Sequence, residues 1–339
     1  MNDSASRPRR TRRTPVLMAA AVATLLLGLS ACGSPDGSDG STTASDGAEG
    51  AFPAKVATKF GEVTVDEKPK RVVALGWGDA ETVLALGGQP VGASDWLAFG
   101  GEGVGPWAKD RYDKSPQLIG TMEPEYEKIA ALRPDLILDT KSSGDRTRHD
   151  TLSKIAPTVG VPEGGDQYMI SWEKQTEMVA AALGVPDKGA KLIAETEKKF
   201  AAAVKANPGF KDSTITLGSR TSEGYGAYVG GTGRVDFAER LGFENNPAVE
   251  AKAGDSFTVP VSKENLDLLD ADLVVMEPIG VPAASISDDP LYQAVPAVKA
   301  GHSLVFDDQG ISQAFATDSV LSVSYALDKV VPLFAQKLK

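Results

Sequence analysis

Glu127-Lys128-Ile129-Ala130-Ala131-Leu132-Arg133-Pro134-Asp135-Leu136-Ile137-Leu138 returns in the second half of the chain as Glu264-Asn265-Leu266-Asp267-Leu268-Leu269-Asp270-Ala271-Asp272-Leu273-Val274-Val275. Both stretches run Glu, one residue, an aliphatic, two residues, Leu, two residues, Asp, Leu, then an apolar run. Apolar residues three apart followed by a continuous apolar stretch predict a short helix that leads directly into a buried strand. A unit that occurs twice, once in each half, points to two related α/β lobes. A solenoid would repeat every 20–50 residues or so. Two lobes leave a cleft between them.

The pattern around the repeat supports this. Arg71 to Leu75 is a short β-rich run that stops at Gly76-Trp77-Gly78-Asp79, and Ala80 to Leu86 reads as helix. Pro90 to Ser94 reads as strand, followed by a Gly-rich loop from Asp95 to Pro106. Asp135 to Thr140 closes the first repeat as a strand, Asp150 to Ile155 is helical, Thr158 to Val161 extended, and Ser171 to Leu183 helical with Gly184 as stop signal. Pro186 to Asn207 contains a long run of helix formers that ends at Asn207-Pro208-Gly209, and predicts one uninterrupted helix connecting the lobes. A surface helix belonging to one lobe is the alternative. The second half begins with a strand, Thr214 to Arg220. A Gly/Tyr-rich loop from Thr221 to Gly231 and a helix from Val235 to Leu241 follow. Ser262 is a candidate cap for the second repeat helix, Ser303 to Asp307 a strand, and Val320 to Leu338 a closing helix. Strands alternating with helices in both halves predict α/β sheets. The lobes are placed at residues 55–185 and 209–339, with the connecting helix at 186–208.

Residues 1–31 read as a lipoprotein signal peptide. Five arginines between Arg7 and Arg13 precede an apolar segment, Val16 to Leu29, short for a membrane span. Leu29-Ser30-Ala31-Cys32 has the small residues of a lipobox, which would leave Cys32 as a lipidated N-terminus. An ordinary secretory signal is the other reading. Cys32 is the only cysteine, so it has no partner for an internal disulfide. Residues 32–54 are dominated by Gly, Ser, Asp, Thr and Ala and read as a flexible tether. The formal net charge is −11, and loss of the arginine-rich leader makes the mature chain more acidic still. Such a domain is a poor partner for nucleic acid or anionic lipid.

Catalytic signatures are missing. The two histidines, His149 and His302, make no metal-binding spacing, and there is no nucleophile elbow or phosphate loop. No resident cofactor is expected. Aromatic and cationic residues instead gather in loops after strands, where open α/β sheets bind ligands. Trp77 and Asp79 follow the first strand, and Trp96 and Phe99 the second. Arg146 and Arg148 come after the first repeat, and Arg220, Tyr225 and Tyr228 after the first strand of the second lobe. Each aromatic has a core-packing alternative, and each arginine a solvated one. Glu127 and Glu264 sit at matching places near helix starts. A carboxylate there gains about 0.3–1 kcal/mol from the helix dipole. One acidic anchor per lobe also suits docking onto a basic partner with two halves.

Across nearly all of residues 55–339 the chain resembles the iron-siderophore substrate-binding proteins of ABC importers, a family with ferrichrome-, haem- and cobalamin-binding members. The likeness rests on Arg71 to Leu75 with its following loop, Pro124 to Leu138, Leu152 to Val159, and Val295-Pro296-Ala297-Val298-Lys299-Ala300-Gly301. The lipoprotein signal fits such proteins in cells lacking an outer membrane. The resemblance implies a two-lobed substrate-binding fold bridged by one helix, with a shallow, rather rigid cleft between the lobes. It implies a monomer whose Glu127 and Glu264 meet arginines of a permease dimer. It places Trp77, Trp96, Arg146, Arg148, Tyr168, Trp172, Arg220, Tyr225 and Tyr228 against a ferric siderophore. His149 stands where relatives often carry Tyr after the arginine pair. Hydroxamate, citrate-type and mixed chelates remain open, hydroxamate being the first choice. A haem or cobalamin carrier is the alternative within the class, with His149 or Tyr228 as possible axial ligands. A secreted lipid-anchored enzyme and a bare metal-ion binder are the alternatives outside it.

Overall fold

The computed structural model describes residues 52–254 and 256–339. The signal segment, Cys32 and the tether as far as residue 51 lie outside the described residues.

An antiparallel hairpin, β1 (Ala54–Thr58) and β2 (Gly61–Val65), precedes the first sheet. That sheet contains β3 (Val72–Ala74), β4 (Gly92–Ser94), β5 (Gln117–Ile119), β6 (Leu136–Leu138) and β7 (Thr158–Val159), in the order β5-β4-β3-β6-β7, all parallel. Its central strands are wholly apolar and fully buried, as parallel strands covered on both faces must be. Helices α1 (Asp79–Ala85), α2 (Tyr126–Ala131) and α3 (Arg146–Leu152) follow β3, β5 and β6, and α4 (Trp172–Ala182) follows β7. Then comes α5 (Pro186–Ala206), 21 residues long, with Pro186 at its first turn, where a missing N–H costs nothing. It spans about 30 Å at 1.5 Å per residue.

The second sheet contains β8 (Thr214–Arg220), β9 (Tyr225–Tyr228), β10 (Glu244–Asn245), β11 (Thr258–Val261), β12 (Leu273–Pro278) and β13 (Ser303–Val305). The order is β11-β9-β8-β12-β13, with β10 also on β8. Strands β8, β10, β12 and β13 are parallel, and β9 runs against both β8 and β11. Between and after these strands lie α6 (Gly233–Arg240), α7 (Pro247–Glu250), α8 (Ala284–Ser287), α9 (Pro290–Gln293), α10 (Pro296–Lys299), α11 (Gln309–Thr317) and α12 (Val320–Lys337).

The two repeat copies occupy equivalent places. Ile129 and Leu266 are both buried, and each copy feeds the strand beside its lobe's first strand, β6 on β3 and β12 on β8. The shared aspartates do the same job. Asp135 accepts from the N–H groups of Lys70 (2.8 Å) and Arg71 (2.9 Å) ahead of β3. Asp272 accepts from the N–H (2.7 Å) and hydroxyl (2.8 Å) of Thr214 at the start of β8.

Three local expectations are corrected. The helix expected at Asp150 begins at Arg146, because Asp145 caps it by accepting from the Arg148 N–H at 2.7 Å. The loop expected over 221–231 contains β9, whose Gly and Ala hide its strand character; a Cβ on Gly218 of β8 would lie 2.7 Å from the Gly226 carbonyl. The second repeat helix is a 3₁₀ segment, Lys263–Leu269, broken at Asn265.

One apolar core crosses from lobe to lobe. Leu84, Trp107 and Trp172 from the first half join Phe200 of α5 and Phe237, Phe315, Leu327 and Phe334 from the second. Rings of Phe200, Phe237, Phe315 and Phe334 follow one another at 5.5, 5.3 and 6.1 Å. Helix α12 packs on α1, α4 and α5. The lobes are therefore joined by hydrophobic packing as well as by the connecting helix.

Candidate functional site

The loop after β3 is built around one buried carboxylate. Asp79 accepts from the Gly76 N–H (3.0 Å), the Thr140 N–H (3.0 Å), the Thr140 hydroxyl, and Gln175 Nε2 (2.8 Å). Burial raises its pKa to about 6, against the pull of those donors. Gly78 carries φ 83°, and a Cβ there would meet Ser319 at 3.1 Å, so the left-handed backbone and the tight fit both favour glycine. The Trp77 N–H donates to the Lys141 carbonyl (2.8 Å) and its carbonyl accepts from Gln175 (2.9 Å). The indole is thereby fixed at the carboxyl end of the sheet.

Trp77 and Trp96 stack with centroids 5.9 Å apart and planes 9° apart. Trp96 Nε1 donates to the Leu75 carbonyl at 2.9 Å, whereas Trp77 Nε1 is buried with no protein acceptor among the described residues. Tyr168 meets both rings edge-on, at 6.4 and 5.3 Å. Gln167 and Tyr168 both have left-handed backbones, φ 53° and 66°, at about 1–2 kcal/mol each for non-glycine residues. Their N–H groups are held by the carbonyls of Ser143 and Ser142. Strain of this kind gathers where a side chain must be aimed.

These indoles form one wall of a cleft of about 890 Å³ between the lobes. The opposite wall comes from the end of β12 and the loop Pro278 to Ala283, from α11, and from Arg234 of α6. Arg234 Nε donates to Glu277 at 2.8 Å, and its guanidinium lies 4.4 Å above the Tyr228 ring. Burial opposes the arginine's charge, but Glu277 and the Tyr228 hydroxyl raise its pKa overall; burial likewise raises that of Glu277 against the pull of Arg234. The second Glu277 oxygen is buried with no partner among the described residues. Two large apolar side chains stand out into solvent nearby. Ile279, in the cleft wall, is 45% exposed; Met122, 67% exposed, has its sulfur 3.5 Å from the Tyr168 hydroxyl. Exposed apolar surface around a concave wall is a feature of ligand sites.

Of the residues chosen from sequence, Trp77 and Trp96 line this cleft and Tyr168 braces them. Tyr228 lies beneath Arg234, 3% exposed, and supports the cation. The other five are placed elsewhere. Arg148 is buried in a two-pronged pair with Asp139 (3.0 and 2.7 Å) and holds the Thr121 carbonyl at 2.9 Å, fixing the backbone beside Met122. Arg146 lies over the Phe60 ring at 5.1 Å, on the side of the β1–β2 hairpin. Arg220 and the Tyr225 hydroxyl both bind Asp289, at 3.1 and 3.0 Å, and tie the β8–β9 turn to α9. Trp172 is 3% exposed beneath Arg240, in a separate hollow of about 360 Å³. His149 stacks on Phe60 at 4.0 Å, outside the cleft lining.

Arg234 and Glu277 escaped the sequence reading, though a signal existed. A cation in the first turn of a helix opposes the helix dipole and calls for a nearby counterion. Glu127 and Glu264 are exposed, each in the first turn of the segment that leads into β6 or β12. Both follow strands, β5 and β11, that end at the carboxyl edge of their sheets, and neither belongs to the cleft lining.

A family model described as periplasmic binding protein matches residues 72–309. A probable siderophore-binding lipoprotein of Bacillus subtilis, YfiY, is 27% identical over 80% of this chain and 84% of its own length. The iron(3+)-hydroxamate-binding protein FhuD of the same organism is 29% identical over 84% and 88%. A periplasmic solute-binding protein of Mycobacterium smegmatis superposes with a TM-score of 0.72 at 25% identity, covering 84% of this chain and 99% of that one. Streptococcus pneumoniae PiaA, solved with ferrichrome, gives 0.72 at 24%, covering 84% and 98%. With the duplicated sheets, the interlobe cleft and a match over most of its length, this chain belongs to the periplasmic binding protein family.

Proposed function

We propose that this chain captures a ferric siderophore outside the cell and delivers it to the permease of an ABC importer, held at the membrane by lipid on Cys32. The stacked Trp77–Trp96 wall facing Arg234 across the cleft is the observation behind this reading. Aromatic faces cover the organic shell of a chelate, and the guanidinium reaches its metal-binding oxygens. The iron is cargo, enclosed by its chelator, and the chain performs no bond-making step. Glu127 and Glu264 meet the two halves of the permease, and ATP hydrolysis elsewhere drives transport. The siderophore and hydroxamate specificities of the relatives named above favour this cargo over haem. So does the packing of His149 on Phe60 and of Tyr228 under Arg234, which occupies both candidate axial ligands.

Tryptophan fluorescence titration against ferric siderophores, haem and cobalamin tests the reading. Saturable quenching at micromolar or lower concentration by at least one ferric siderophore is expected. Tighter binding of haem or cobalamin would replace the reading with that cargo.

A further inference from the structure

The cleft walls carry little positive charge. The lining holds one cation, Arg234, and two carboxylates, Glu277 and Asp307. Arg234 is already neutralised at 2.8 Å by Glu277, whose side chain is 3% exposed. Asp307 is exposed on the rim. Arg148 is paired with Asp139 and Arg220 with Asp289, and Arg146 lies over Phe60 outside the cleft lining. The chain as a whole is acidic, with formal charge −11.

A polyanionic chelate entering this cleft would meet a field of its own sign, strengthened by low-dielectric walls. The unpartnered polar atoms point the same way. The free Glu277 oxygen is a buried acceptor without a donor. Its charge lies just beneath the cleft wall, where an amide N–H or ammonium group on the ligand would be attracted and a carboxylate or catecholate oxygen would face a like charge. The terminal nitrogens of Arg234, which make no other hydrogen bond among the described residues, remain as donors for chelating oxygens. Ile279 and the two indoles suit an alkyl and amide shell.

We propose that the cleft selects ferric chelates of zero or positive net charge, of the trihydroxamate class, and disfavours polyanionic catecholate and citrate-type chelates, with Glu277 and Asp307 as the discriminating residues. This deepens the siderophore reading and rests on it.

The test is tryptophan quenching of the full chain with ferrichrome (neutral), ferrioxamine B (cationic), ferric enterobactin (trianionic) and ferric citrate, in the wild type, Glu277→Gln and Asp307→Lys. The wild type is expected to bind the two hydroxamates at least about a hundredfold tighter than the two anionic chelates. Asp307→Lys, an exposed change that leaves the core untouched, should narrow that gap by about tenfold or more at low salt and less at high salt. Glu277→Gln should narrow it further, provided its melting curve shows a folded protein. Preference of the wild type for enterobactin or citrate would overturn the inference and leave the siderophore reading standing. So would an Asp307→Lys variant with an unchanged gap. Failure of all four chelates to quench would overturn the inference, and tighter binding of haem or cobalamin would remove the siderophore reading with it.

Discussion

Lys141 Nζ lies 2.8 Å from Asp318 Oδ2 and 3.1 Å from the Asp318 carbonyl, with the paired side chains only 6% and 7% exposed. The pair joins the loop after β6 to the α11–α12 junction, and so joins one lobe to the other. The Lys141 carbonyl also holds the Trp77 N–H, so one residue serves both the Trp77 side of the cleft and the lobe contact. Removing one member of a buried pair strands the other's charge. Lys141→Met should therefore lower stability by about 3–5 kcal/mol, and Lys141→Met with Asp318→Leu by clearly less. Denaturant titration checks this; equal losses in the single and double variants would mean the pair is solvated.

The two tryptophan environments make separable predictions. Trp77→Ala should lose about 2 kcal/mol of ligand binding, roughly thirtyfold, together with part of the quenching, the rest coming from Trp96. Trp172→Phe should hold affinity within about twofold, because Trp172 sits in the separate hollow beneath Arg240. Comparable losses from both would require a larger binding surface than the cleft described.

Docking separates from capture. Glu127→Ala with Glu264→Ala should reduce uptake of the ferric chelate to background, with the dissociation constant within about twofold of wild type. Both residues are exposed, so folding should be unaffected. Uptake at the normal rate would rule out the docking role.

Glu81 predicts a pH dependence. Its carboxyl is 4% exposed, binds the Ser319 hydroxyl of the opposite lobe, and is raised by burial to about 7 from 4.5. A carboxyl raised in the folded state binds protons more tightly there than in the unfolded chain. Its stabilising contribution is complete below about pH 4.5 and lost as pH rises through about 7. The melting-temperature difference between wild type and Glu81→Gln should accordingly shift against the wild type between those values. A constant difference would show that Glu81 does not titrate there.

Much of the frame could be read from residues alone because it follows local rules. The repeat marks β6 and β12, and α5 is written in helix formers ending at Asn207-Pro208. Trp77 and Trp96 were legible because each follows a parallel strand. The arginines were harder, since a sequence displays cations without their counterions. Arg148 and Arg220 look free until Asp139 and Asp289 are seen against them. Arg234 drew no notice because Glu277 reaches it only once α6 and the end of β12 meet in three dimensions.

The apolar core that runs unbroken from α1 and α4 through α5 into α12 has a further consequence. A carrier welded in this way is expected to keep nearly one outline whether full or empty. If the proposed docking through Glu127 and Glu264 holds, an importer would meet both forms on similar terms, and unladen copies would compete for vacant permeases. Iron supply would then follow the laden fraction rather than the number of carriers, and overproducing the protein when chelate is scarce would slow uptake.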